Sequence, residues 1–278
     1  MVKFIYKITT VAILIMVMLF SLISCEDVVD VDLDTAKPKL VIEASILWKK
    51  GTNGNDQKIK LSTTTNYYSN EIPVVSGATV FITDGTNTYN FIENTGTGEY
   101  ICSNFNCVLG ETYLLTVIAN GETFTATETF QAVPTIESVA QDNEGGFLGD
   151  AIEIKFFFQD NGTTNDFYLT QYNSDFNLLT EYNVIDDEFF QGNQMFGLYT
   201  NEDMKPTDVL NFTLHGISER YYNYLNILLN IAGSDGGGPF NSPPATVRGN
   251  FVNQTNPDNF AFGYFSLSEI DTKTYTVQ

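Results

Sequence analysis

From Lys39 to about Phe130 apolar residues recur with a period of two. Leu40, Ile42, Ala44 and Ile46 occupy one set of positions and Val41, Glu43, Ser45 and Leu47 the other, which predicts a strand covered on both faces along much of its length. Ile59 and Leu61 alternate with Lys58, Lys60 and Ser62. Thr79-Val80-Phe81-Ile82-Thr83 runs into Asp84-Gly85, a dipeptide suited to a tight hairpin turn, and Tyr89 and Phe91 alternate on the return. Gly96-Thr97-Gly98 turns the chain before Tyr100, and Asn120-Gly121 separates the run Tyr113 to Ile118 from the run Phe124 to Phe130. About seven short strands with turns at regular spacing predict an N-terminal β-sandwich of immunoglobulin or transthyretin type over residues 39–133, bounded by Val133-Pro134.

The pattern over residues 134–278 is less regular and predicts a second β-rich domain carrying one helix. Ile152 to Phe158 and Phe167 to Thr170 read as strands around the turn Asp160-Asn161-Gly162, and Asp208 to His215 as another. The helix is expected near 218–232. Ser218 supplies a cap, Tyr221, Leu225, Leu228, Leu229 and Ala232 form one face, and Gly233 ends it. Tyr224, Ile227 and Ile231 widen that stripe, so most of the circumference is expected to be covered. Gly233 to Pro239 breaks regular structure, and Arg248 to Val252 with Ala261 to Ser266 reads as a closing β-hairpin.

The N-terminus follows neither period. Lys3 and Lys7 precede an apolar run that closes on Leu22-Ile23-Ser24-Cys25. A positive start, an apolar core and small residues at the end describe an export signal, and the run is too short for a stable membrane span. Leu-Ile-Ser-Cys has the form of a bacterial lipobox, in which Cys25 is acylated and becomes the first residue; two or three acyl chains hold a protein firmly where one does not. Residues 1–24 are thus read as a lipoprotein signal peptide and 25–38 as an acidic tether. Asp30, Asp32 and Asp34 share the first spacings of an EF-hand, but its glycine and closing glutamate are lacking.

Charge narrows the partners. Lys+Arg is 13 against 34 Asp+Glu, a formal charge of −21. A phosphate-binding surface needs a basic patch that so acidic a chain hardly supplies, so nucleic acid is not an expected partner. With Cys25 taken by lipid, Cys102 and Cys107 are the only pair available for a disulfide. A bridge and two reduced thiols both remain open. One histidine and no second cysteine pair give no zinc site, so no metal and no cofactor is expected.

Candidate chemistry is thin. His215, the only base for a nucleophilic triad, has no Gly-x-Ser-x-Gly elbow to serve. Glu181, Asp186, Asp187 and Glu188 cluster near Tyr182, Phe189 and Phe190, which admits a carboxylate-based glycoside hydrolase but fits a solvated acidic loop better. Tyr221, Tyr222 and Tyr224 fit core and rim positions of a helix better than a ligand platform. No enzyme is expected.

The order of motifs resembles a family. Leu40 to Ala44, Val75 to Val80 and Gly98 to Tyr100 follow the lipobox and tether; Tyr221 to Leu225, Pro239-Phe240, Pro243-Pro244-Ala245, Arg248-Gly249-Asn250 and Phe262 to Ser266 complete the series. Together they resemble the Bacteroidota surface lipoproteins catalogued as domain of unknown function 4249. That resemblance implies a lipid-anchored, surface-exposed outer-membrane protein beside a SusC-like TonB-dependent transporter, acting as a non-enzymatic accessory or binding module. A stand-alone glycan- or peptide-binding lipoprotein is the alternative. Asp34-Thr35-Ala36 also resembles the phylum's O-glycosylation motif, with Thr35 as acceptor.

Overall fold

The computed structural model describes residues 37–66, 69, 71–146, 148–232 and 247–278. The chain divides into residues 1–37 and 38–278, and only the second unit is described below. The signal peptide, Cys25, Thr35 and the breaks around Gly233 to Pro239 and Pro243-Pro244 lie outside the described residues.

The alternating first half folds into β1 (Leu40–Lys49), β2 (Gln57–Thr63), β3 (Thr79–Thr83), β4 (Thr88–Asn94), β5 (Glu99–Cys102), β6 (Thr112–Ala119) and β7 (Glu122–Thr129). Thr83 pairs with Thr88 across Asp84-Gly85, and Ala119 with Glu122 across Asn120-Gly121, so both turns close the hairpins their residue types favour. β4 turns the corner between layers: its first residues pair with β3 and Ile92 to Asn94 pair with β5. The layers enclose a core around Ile42, Ile46, Ile59, Tyr100, Tyr113 and Phe124. Burying such a side chain contributes about 1.5–3 kcal/mol. In β1 only alternate residues are buried, Leu40 to Ile46, while Glu43, Ser45 and Leu47 are exposed. The expectation of a strand covered on both faces fails because one face alone meets a second layer.

The rest of the chain forms β8 (Ile136–Gly145), β9 (Ala151–Gln159), β10 (Phe167–Ser174), β11 (Glu181–Asp186), β12 (Gln194–Thr200), β13 (Val209–Ile217), α1 (Glu219–Ala232), β14 (Val252–Asn253) and β15 (Phe262–Thr276). The fold is mainly β with α1 as the one helix among the described residues. A 12-stranded sheet runs β11-β10-β13-β15-β1-β2-β5-β4-β3-β6-β7-β14, and a 3-stranded sheet runs β12-β9-β8. Phe156 and Phe158 of β9 meet Tyr168, Phe212 and Leu214 of the larger sheet in a second core. Asp160-Asn161-Gly162 is therefore a crossing between layers and not a hairpin, since β9 and β10 belong to different sheets.

β15 joins the two cores. Phe262 to Ile270 pair in parallel with β1, and Ile270 to Thr276 pair antiparallel with β13. Phe265 and Leu267 thereby enter the first core, while Val277 just beyond the strand enters the second. The expected closing hairpin does not form: β14 pairs with β7, far from β15 in sheet order. Asn250 instead clasps β15 through its side chain, donating from Nδ2 to Phe265 O (2.8 Å) and accepting at Oδ1 from Phe265 N (2.9 Å).

Candidate functional site

Two places gather polar side chains. The first lies where α1 rests on the outer face of the large sheet. Ser218 caps the helix, its Oγ accepting from Tyr221 N at 3.3 Å and its carbonyl from Tyr222 N at 2.9 Å. Leu225 packs against Leu169 and Ile217. Tyr221 and Tyr224 lie on Tyr264 of β15, with ring centroids 4.5 and 4.9 Å away. Tyr222 packs on Phe167 and donates to Asp186 Oδ2 at 2.7 Å. The three tyrosines thus dock the helix. Only Leu225 of α1 is fully buried, while Ile227, Leu228 and Ile231 are exposed. The broad apolar stripe is not covered, because the sheet meets the helix from one side only.

Beneath α1 lies a cavity of about 310 Å³ lined by Ser45, Gln171, Tyr182, His215, Leu225 and Ser268, among others. His215 is 5% exposed and its Nε2 meets Gln171 Oε1 at 3.3 Å. Burial pushes the imidazole down to about 4, so it is neutral at pH 7. Among the described residues its ring bonds Gln171 and no carboxylate.

The second place is one end of the second sandwich. Strand alternation scatters the acidic run: Glu181 Oε1 accepts from Tyr199 OH (3.1 Å) in the opposite sheet, whereas Asp186 meets Tyr222 of α1 on the outer face. Glu188 is exposed. These acids do not converge as a catalytic carboxylate pair. Asp187, one step past β11, turns inward and joins Asp160 from the end of β9 and Asp166 from the start of β10. One carboxylate oxygen from each lies within 4.8 Å of the other two.

Two loops build this cluster. Asp160 Oδ2 accepts from Gly162 N (3.0 Å) and Gly192 N (2.8 Å), and Oδ1 from Tyr168 OH (2.8 Å). A Cβ on Gly162 would stand 2.6 Å from Gly192 Cα, so the loops meet at bare backbone. Gln191 Nε2 donates to Thr164 O at 3.0 Å and so ties them again. Asp160 and Asp187 are 3% and 2% exposed, and Asp187 Oδ2 has no hydrogen-bond partner. Burial, followed by repulsion from Asp160 and Asp187, pushes the Asp166 carboxyl upward against the pull of Thr164. Two unit charges at roughly 4 Å repel by about 4 kcal/mol at an effective dielectric near 20. Among the described residues the ion pairs are Lys50–Glu269, Lys58–Glu99 and Lys155–Glu153, and none reaches this cluster.

Cys102 and Cys107 are both buried and stand as free thiols, so the bridge left open by their spacing is not formed here. Cys102 Sγ meets Asn104 Oδ1 at 3.2 Å, whereas Cys107 Sγ meets Gly54 O at 3.4 Å. Burial pushes the Cys107 thiol up to about 12, which keeps it protonated and unreactive. Asp160 and Asp166 were not legible as site residues. Their one local signal is that they bracket Asn161-Gly162-Thr163-Thr164-Asn165, a run of small and oxygen-bearing residues; the third acid comes from elsewhere in the chain.

No curated protein matches the chain. Among solved structures, a two-domain fibronectin type III segment of chicken tenascin is 10% identical at a TM-score of 0.22, covering 64% of this chain and 90% of that one. The FN1-FN3 domains of chicken CNTN1 are 12% identical at 0.24, covering 63% and 57%. A cytokine receptor complex is 10% identical at 0.25, covering 64% and 83%. At those scores the architecture rests on the strand pairing above. A family model described as domain of unknown function (DUF4249) matches residues 26–274, and the chain belongs to that family.

Proposed function

We propose that this protein is a lipid-anchored surface lipoprotein of the outer membrane, serving as a non-enzymatic accessory or binding module of a SusC-like TonB-dependent uptake complex. The observation that carries this reading is Leu22-Ile23-Ser24-Cys25, placed directly behind Lys3, Lys7 and an apolar run. Two features agree with it. The acidic excess disfavours contact of the body with anionic lipid, leaving the acyl chains as the attachment. Ile227, Leu228 and Ile231 on α1 are exposed apolar side chains of the kind a protein partner covers.

The test is extraction of the full chain, lipobox intact, from its own host in mild detergent, with Cys25→Ala as control. The expected outcome is recovery of one β-barrel transporter in near-equal amount, lost in the variant. Recovery of the protein alone overturns the accessory role. The cavity under α1, with Tyr182, His215 and Gln171 in its wall, favours a second reading, a stand-alone binder of a glycan or peptide.

A further inference from the structure

We propose that Asp160, Asp166 and Asp187 form a binding site for a hard divalent cation of the calcium class, clamping the 160–166 loop to the 187–193 loop at the end of the second sandwich. The proposal does not depend on the lipid anchor or on any transporter.

The three acids stand close together, and Asp187 is the one left unsatisfied. Its carboxylate is 2% exposed, turned toward Asp160 and Asp166, and its Oδ2 lacks any hydrogen-bond partner. A buried polar atom in a folded protein is normally satisfied, and an orphaned oxygen on a buried carboxylate grouped with two more carboxylates lacks the positive charge that would satisfy it. No lysine or arginine supplies that charge among the described residues.

The donor set selects the cation. His215 and both described cysteines have their partners elsewhere, so the cluster offers oxygen alone, which suits calcium or magnesium and disfavours zinc or copper. Three carboxylates brought together from two loops also exceed the one or two that magnesium ordinarily takes from protein. Asn161, Thr164 and Asn165 in the same loop are exposed neutral oxygen carriers, leaving room for water to complete a larger, flexible shell. The framework is already in place. Asp160 is held by two backbone N–H groups and Tyr168, and Gln191 ties the loops without using a carboxylate.

The test uses the full chain in mild detergent, stripped with a chelator and titrated with calcium chloride alone. Thermal unfolding and calorimetry are followed for the wild type, Asp187→Asn and Asp166→Asn, with Asp186→Asn as a neighbour that bonds Tyr222 outside the cluster. Binding to the folded state raises Tm, so saturating calcium should lift the wild type and Asp186→Asn by roughly 5 °C. Asp187→Asn and Asp166→Asn should lose about tenfold or more in affinity and most of that shift. Because each amide also relieves like-charge repulsion, both variants should fold without calcium at least as stably as the stripped wild type. Terbium provides a second readout, since Tyr168 bonded to Asp160 should sensitise its emission, and calcium should displace it. No calcium-dependent shift in the wild type, or a shift retained in full by both amide variants, overturns the proposal; a magnesium shift equal to that of calcium overturns the choice of cation.

Discussion

His215 is where pH acts on a single residue. In the unfolded chain its imidazole titrates near 6.5, and burial brings it to about 4 in the folded chain. Between those values the unfolded chain binds the proton and the folded chain does not. Stability therefore falls as pH drops through that window, by about 3 kcal/mol in total, and the loss is complete below the folded value. His215→Gln keeps a polar group facing Gln171 and removes the titration. Urea denaturation at pH 7 and pH 4 should show the variant losing about 3 kcal/mol less than the wild type, and parallel losses would refute the assignment. The histidine stood out in the sequence as a strand-end residue, yet its burial did not, because the residues that line the cavity with it come from α1, β1, β10, β11 and β15. The same holds for Asp187: read along the chain it is one acid in a run, and only the turn after β11 separates it from Asp186.

Among the elements, β15 carries the most consequence. Gly263 sits at φ +99° where β15 meets β1, and a Cβ there would stand 2.0 Å from Ile42 O. Gly85 has a similar φ of +88° with nothing within 4 Å. The pair separates backbone strain from close approach. Gly85→Ala should cost about 1–2 kcal/mol through the left-handed conformation alone. Gly263→Ala should cost about 3 kcal/mol or more, because β15 and β1 must also move apart. Equal losses in urea unfolding would show that the close approach carries no weight. α1 gives the complementary lesson. Its start at Ser218 and its apolar stripe were legible because capping and helical spacing are local, whereas the exposure of Ile227 and Ile231 depends on how much sheet lies beneath.

For the whole body, the shared strand predicts mutual dependence of the two cores. Residues 38–133 lack Phe265 and Leu267 in their core and the parallel partner of β1. That fragment, expressed alone, should show poorly dispersed amide resonances and no cooperative melt, and adding residues 134–278 in trans should restore both. A fragment that melts cooperatively by itself would show that β15 is dispensable to the first core. The division of buried residues near Phe130 and Val133 coincides with a break legible as Val133-Pro134, yet the chain crosses back over it at the end.

What the amino-acid order settles here is local. Period-two alternation marks β1 to β7, Asp84-Gly85 and Asn120-Gly121 close their hairpins, and Ser218 starts α1, because each of these depends on neighbours within a few residues. Folding in three dimensions settles the rest: β9 and β10 part into different layers, β15 serves two cores, and Asp160, Asp166 and Asp187 meet. The physical reason is common to all three. Pairing between distant segments follows from how large apolar faces are buried together, and periodicity along the chain records that a face exists without recording which face it meets.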